Sequence, residues 1–252
     1  MALLVTGAMG QVGYEVARQA SADGAGVVAQ YRRTFDEPAA RALGDAVRWF
    51  PCDLVDIAAI ETLADDHAID ACIHLAAVSN EAYARPDPVA AVQSNALAVA
   101  NLLDVARRKH WRRVIVASTG GVFQNLNDVT RPIFEDTTPT ATNIYGTTKL
   151  CAELLTRMYR TQFDVSAAVV RISWVYGPPT VITDATRGPI PVFLAKALAG
   201  TPVRDPGGAD FAASFTYVAD VAAGLIAACR APALNFDLYH LGPGVNFTTS
   251  QV

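Results

Sequence analysis

Short apolar runs recur along the chain, separated by longer stretches whose apolar residues fall three and four positions apart. "ALLVTG" (2–7), "GVVAQY" (26–31), "VRWFPCD" (47–53), "ACIHLAA" (71–77), "RVIVAST" (113–119) and "VSAAVVRIS" (165–173) read as strands, most of them nearly continuous in apolar residues. Residues 11–22, "VDIAAIETLADD" (55–66), residues 88–109 and a segment opening near Tyr145 read as helices. Strands of this kind need cover on both faces, and regular β–α alternation supplies it. The pattern therefore predicts an α/β fold built on a doubly wound parallel sheet. From residue 174 the texture changes. "YGPPTVITDATRGPIP" is rich in turn formers, a helix is expected at 191–199, and "FTYVADVAAGLIAAC" reads as a return to the main body. The expected division is a sheet domain over 1–173 and a small, loop-rich substrate-binding portion over 174–252, with 215–230 as the returning helix.

Composition narrows the class. Of 252 residues 52% are hydrophobic and 17% charged, which favours a folded protein over a disordered one. The net charge is −4, and the densest basic run, "RRKHWRR" (107–113), falls between a helix and a strand. It reads as a solvated turn, so nucleic acid is not an expected partner. Cysteines 52, 72, 151 and 229 form no CxxC and have no His at ligand spacing, which predicts buried, inert thiols in a reduced cytoplasm and no metal. "MALLVTGAMG" leaves no room for a signal peptide before the first strand. No run approaches the roughly 20 apolar residues of a spanning helix, so a soluble, cytoplasmic protein without a membrane partner is expected.

The first strand leads into "VTGAMGQVGYEVARQ", with Gly7, Gly10 and Gly13 at the turn into the first helix. Glycines there allow a tight turn and close backbone approach to a pyrophosphate, while the helix N-terminus offers free N–H groups and a positive dipole end. At the first βα turn of an alternating chain, this is the context a dinucleotide loop requires, and it makes the expected fold Rossmann-like. Met9, Gln11 and Val12 complete the loop.

The spacing G-x-x-G-x-x-G resembles the extended short-chain dehydrogenase/reductase superfamily, the NAD(P)-dependent epimerases, dehydratases and reductases. The resemblance rests on an ordered set: "TGAMGQVG", "CDLVD" (52–56), "HLAA" (74–77), "NALAVANLLDVAR" (95–107), "VIVAST" (114–119), "YGTTK" (145–149), "RISWVYGP" (171–178) and "FTYVADVA" (215–222). It implies Asp53 and Leu54 at the adenine, and Ala76 and Ala77 where the cofactor approaches the backbone. Asp53 has a second reading, as the cap of the helix starting nearby. The family's acidic ribose-binding position holds Tyr31, followed by Arg32 and Arg33. A missing carboxylate and two guanidiniums favour NADP over NAD.

The same resemblance implies a catalytic set of Thr119, Tyr145 and Lys149. Four residues apart on a helix, Tyr145 and Lys149 share a face. An ammonium beside the phenol favours phenolate, so Tyr145 can act as base toward an alcohol or as acid toward a carbonyl. Lys149 would also bind the nicotinamide ribose, and Thr119, with Ser118 as its neighbour, would hydrogen-bond the reacting oxygen. The dehydratases' Asp–Glu pair after the Thr is replaced by Gly120 and Gly121. Trp174 and Ala213 stand where nucleotide-sugar binders carry Asn and Arg. The expected reaction is hydride transfer at a secondary alcohol or ketone of a sugar or sugar-derived substrate. A nucleotide-sugar epimerase with tightly bound NAD(P) and a non-catalytic dinucleotide sensor are the alternatives. Ser79, Asn80, Ser118, Trp174 and the 178–191 loop are substrate candidates by location. Apolar residues on more than one face of the 88–109 helix point to a homodimer. Near the end, Thr249 or Ser250 has the look of a helix cap.

Overall fold

The computed structural model describes residues 2–124, 132–178, 189–203 and 212–252. In chain order its strands are β1 (Ala2–Thr6), β2 (Gly26–Tyr31), β3 (Val47–Pro51), β4 (Ile69–His74), β5 (Arg113–Thr119), β6 (Ala167–Ile172), β7 (Trp174–Tyr176), β8 (Ala212–Ala213), β9 (Phe215–Tyr217), β10 (Leu238–Leu241) and β11 (Phe247–Thr248). Seven form one parallel sheet in the order β10-β6-β5-β4-β1-β2-β3. The order reverses between β1 and β4, and open α/β sheets bind ligands in the crevice at such a point.

Alternate residues of each central strand feed opposite cores. Leu4, Cys72, Val114 and Val116 join Ile60 and Leu63 of helix Ile57–His67, Leu102 and Leu103 of the following long helix, and Ala152 of helix Ile144–Phe163. Val5, Ile73 and Ile115 face the other way, against Val16 and Ala17 of helix Gln11–Ala22 and Val221 and Leu225 of helix Val218–Arg230. Helices thus cover both faces, and the α/β doubly wound expectation holds. At roughly 1.5–3 kcal/mol per fully buried aliphatic side chain, these two layers dominate the folding free energy.

Several boundaries differ from the sequence reading. The 215–230 segment begins as β9, and its helix starts only at Val218. β10 adds an edge strand to the main sheet by pairing with β6, so the sheet also draws on chain beyond residue 173. β4 ends at His74, leaving Ala76 and Ala77 in the turn after it. At the other end of the chain Thr248, not Thr249 or Ser250, is the cap. It starts the short turn Thr249–Gln251, and the Gln251 side chain completes a capping box. The basic run is not simply a solvated turn either. Arg107 pairs with Asp104, Arg108 with Glu61 and Lys109 with Asp65, while Trp111 and Arg113 are buried. Pro88–Arg108 is long and apolar enough to cross a membrane by length and composition, contrary to expectation, and half of its most apolar window is buried inside the fold. Of the cysteines, Cys52, Cys72 and Cys229 are buried, but Cys151 is exposed on its helix.

Candidate active site

A cleft of about 290 Å³ opens at the carboxyl ends of β1, β2 and β4. Gly7, Met9, Gly10, Arg32, Arg33, Asp53, Leu54, Ala76 and Ala77, nine of the residues assigned to the cofactor from sequence, line it. Gly7 has φ +62°, and a Cβ on it would stand 2.8 Å from Ala76 Cα, so the turn closes directly onto the chain after β4. Gly13 lies beneath the cleft: a Cβ there would meet Gly7 O at 2.3 Å. It lets the helix start against the loop, which keeps the N-terminus aimed at the space a pyrophosphate would fill. Val12 packs into the core beside it. The Gln11 side chain turns elsewhere, donating to the carbonyls of Gly177 and Pro178 at 3.1 and 3.3 Å. A glycine turn, a helix N-terminus and a basic rim fit a dinucleotide.

The rim at the end of β2 is basic. Arg32 and Arg33 are exposed, neither is ion-paired among the described residues, and Arg32 Nη1 reaches across to Ser94 Oγ at 3.3 Å. Tyr31 stacks on Phe35, with centroids 4.7 Å apart. Asp53 accepts from the Val55 N–H, whereas Asp56 caps the helix that begins at Ile57, so the capping role weighed for Asp53 belongs to Asp56.

At the far side, Thr119 ends β5 and Tyr145 opens helix Ile144–Phe163. Both side chains lie beside Gly121: a Cβ built there would stand 3.4 Å from Thr119 Oγ1 and 3.6 Å from Tyr145 Cε1. Thr119 Oγ1 accepts from the Gly121 N–H at 3.0 Å, which leaves its own hydrogen to donate outward. Asn143 caps the helix and Glu81 accepts from the Tyr145 N–H, fixing its first turn. One turn on, Lys149 is only 4% exposed, and burial pulls its pKa down to about 8 while Glu153 works against that. His74 stands at the end of β4. Thr6 Oγ1 accepts the N–H groups of Leu75 and Ala76, so its hydroxyl donates to His74 Nδ1 and the ring proton sits on Nε2. Burial first, and then Lys149, hold His74 near pKa 3, hence neutral.

Against this geometry, the family profile of NAD dependent epimerases and dehydratases matches residues 3–242. The chain belongs to the NAD dependent epimerase/dehydratase family. A dTDP-4-dehydro-6-deoxy-D-allose reductase of a Streptomyces species is 33% identical over 229 residues, covering 87% of this chain and 69% of the relative. A UDP-glucuronate 4-epimerase of Thermodesulfobacterium geofontis is 29% identical over 202 residues, 79% of this chain and 59% of the relative. The chain thus spans between 59% and 69% of the length of these two relatives. The solved UDP-glucose 4-epimerase of Thermus thermophilus, a complex with NAD, shares 25% identity at a TM-score of 0.86, with coverage of 99% and 80%.

Within this epimerase/dehydratase-family site, the substrate candidates have different fates. Ser118 is buried and spends its hydroxyl on Glu153. Asn80 caps the short helix Glu81–Ala84, and Ser79 is exposed beside it. Trp174 is 48% exposed and edge-on to Phe215. The 178–191 loop lies mostly outside the described residues. Sequence reasoning missed Gln30 and Asn95. Gln30 accepts from the Gly7 N–H and donates to Cys52 O, tying the glycine turn to the end of β3. Asn95 holds both backbone groups of Val78, on the cleft wall, and donates to Thr148 Oγ1. A signal was available for Gln30, a polar residue inside the otherwise apolar strand β2, whereas Asn95 follows Gln93 and Ser94 and does not stand out.

Proposed function

We propose that this chain is an NADP-dependent reductase acting on a ketone of a sugar or sugar-derived substrate. The observation that carries the reading is the placement of Thr119 and Tyr145 beside the same residue, Gly121, with Lys149 one turn further along the helix of Tyr145. When bound, the nicotinamide dinucleotide supplies the hydride. Thr119 then donates to the carbonyl oxygen, and Tyr145 gives that oxygen its proton as hydride arrives at carbon. The Lys149 ammonium favours the phenolate left behind. No carboxylate follows Thr119, which argues against elimination of water. The 33% identical reductase supports the direction of hydride flow. The two exposed arginines at the ribose end of the cleft, neither ion-paired among the described residues, support NADP, since guanidinium forks bind phosphate strongly.

On the substrate side, beyond residue 173, β7 and β9 pair in parallel with Trp174 opposite Phe215 and Tyr176 opposite Tyr217. Side chains two apart share a strand face, so four rings line one side of this ribbon. Trp174 and Tyr217 remain exposed there and offer a stacking surface for the apolar face of a sugar ring. The second reading, a nucleotide-sugar 4-epimerase, is favoured by the UDP-glucuronate relative. An epimerase would retain its dinucleotide through purification, whereas a reductase consumes NADPH stoichiometrically. A pure sensor would need no Thr–Tyr–Lys set. Three reduced buried thiols suit a cytoplasmic protein.

The test is nicotinamide absorbance with NADPH or NADH against a panel of keto sugars, keto sugar acids and their nucleotide forms. Turnover with NADPH is expected, together with a loss of at least ~100-fold in kcat for Tyr145→Phe, the range assigned to a general acid. Full turnover by that variant sinks the reading.

A further inference from the structure

Tyr145, Lys149 and Glu153 follow at intervals of four along helix Ile144–Phe163, so they form one stripe on its inner face. The first two belong to the reaction proposed above; the third is a buried carboxylate that reaction does not use. Glu153 is 6% exposed and is gripped on all sides. Arg171 of β6, itself 5% exposed, donates to both of its oxygens, Nε to Oε1 at 2.9 Å and Nη2 to Oε2 at 2.7 Å. Ser118 of β5 donates to Oε1 at 2.5 Å. Ser118 and Arg171 are register partners in the sheet, as are Thr119 and Ile172. Behind Arg171, Nη1 lies 3.3 Å from His240 Nε2 of β10, and Phe123 covers the guanidinium at 4.8 Å.

We propose that Glu153 is a positioning residue for the reaction, its carboxylate keeping the Lys149 ammonium charged and locking the β5 end that carries Thr119. The inference rests on the catalytic reading of Tyr145 and Lys149. A fully buried charge pair gains little stability over an apolar pair, so its presence beside the site asks for another role. The surroundings of Lys149 supply one. His74 of β4 is neutral, and burial pulls the Lys149 pKa down toward neutrality. Glu153 is the carboxylate that opposes this. The other charged groups around the helix are engaged elsewhere: Arg171 faces Glu153, Glu81 accepts from the Tyr145 N–H, and Glu135 accepts from the His240 N–H. An uncharged Lys149 could not favour a Tyr145 phenolate.

The chain has only three lysines, 109, 149 and 196, so ¹³C-lysine labelling gives a spectrum in which Lys149→Met identifies the resonance of interest. Its ε-methylene shift, followed against pH without dinucleotide, should titrate near 8 in the wild type. In Glu153→Gln the midpoint should fall by about one pH unit, the loss of one nearby opposite charge. In Ser118→Ala, which removes a hydrogen bond and no charge, it should stay within a few tenths. Should Glu153→Gln fail to fold, Glu153→Gln with Arg171→Met removes both charges together, a replacement buried pairs tolerate, and because a cation leaves with the carboxylate a smaller fall in the same direction is expected. A midpoint unmoved in whichever variant folds, or a wild-type midpoint at the ordinary lysine value, overturns the proposal. An active Tyr145→Phe would instead sink the reductase reading and leave the lysine titration standing.

Discussion

Lys149 is where function and stability pull hardest against each other. Its ammonium is buried, and its pKa falls from 10.5 to about 8. Between those two values the unfolded chain holds a proton that the native chain has lost, so stability rises with pH across that window. Below pH 8 both states are protonated and the folded protein carries the full cost of the buried charge, on the order of 3 kcal/mol at 1.36 kcal/mol per pKa unit. Lys149→Met, similar in length and uncharged, should therefore raise the free energy of unfolding at pH 7 by ~1–3 kcal/mol. The gain should vanish by about pH 10, while turnover is lost throughout. Urea melts of both proteins at pH 7 and pH 10 check this, and a less stable variant at pH 7 would show that the ammonium is better solvated than its burial implies. This tension was half legible in the chain. The YGTTK spacing exposes the Tyr–Lys pair, because four residues make one helical turn whatever surrounds them. Glu153 was invisible as a site residue, because its partners Ser118 and Arg171 come from two strands, and a glutamate inside a helix ordinarily faces water.

At the scale of elements, the strands were legible because continuous apolar runs admit few other structures. The pieces that escaped are short or irregular. β10 is four residues whose pairing with β6 no local pattern announces. β7 and β9, three residues each, sit in turn-rich sequence. The long helix hides another case. Over Gln93–Leu97 it widens into a π turn, a feature with no sequence signature that often marks a functional site. Asn95 lies in that turn, fully buried. Its amide accepts from the Val78 N–H at 2.7 Å, donates to Val78 O at 3.0 Å, and donates to Thr148 Oγ1 at 3.0 Å, while Thr148 in turn donates to Tyr145 O at 2.9 Å. One side chain thus joins the wall of the cleft to the helix that carries Tyr145 and Lys149. Asn95→Ala leaves Val78 with an unmatched donor and acceptor, at a cost of roughly 1–3 kcal/mol for each group that water cannot reach. The expected outcome is a lower melting temperature together with weaker NADPH binding, read by fluorescence titration. Unchanged binding in a folded variant would make the bridge a matter of stability alone.

For the whole molecule, the outer surfaces of two neighbouring helices remain to be explained. Val89, Val92 and Leu97 are exposed along Pro88–Arg108, and Leu154, Met158 and Phe163 along Ile144–Phe163. The inner faces of the same helices are packed into the sheet core, so this second apolar strip is not needed to fold the chain. Exposed apolar side chains gathered on two neighbouring helices suit an interaction site. The length and hydropathy that let the first helix qualify as a membrane span have a simpler cause here, since half of its most apolar window is core and Val89, Val92 and Leu97 add to it from outside. A second copy of the chain is the economical partner, because a two-fold axis sets the same strip against itself and closes the assembly at two. Leu154, Met158 and Phe163 lie on the helix that carries Tyr145 and Lys149, so pairing there would brace that helix. Light scattering at micromolar concentration should give twice the mass of one chain. Val92→Glu with Leu154→Glu should return the mass to that of a monomer, because carboxylates set into a desolvated interface cost several kcal/mol unless paired. Both substitutions replace exposed side chains, so the fold should survive, and activity in the monomer would measure how much the catalytic helix owes to its neighbour. A wild-type monomer in the same measurement would remove the second copy and leave the strip for another partner.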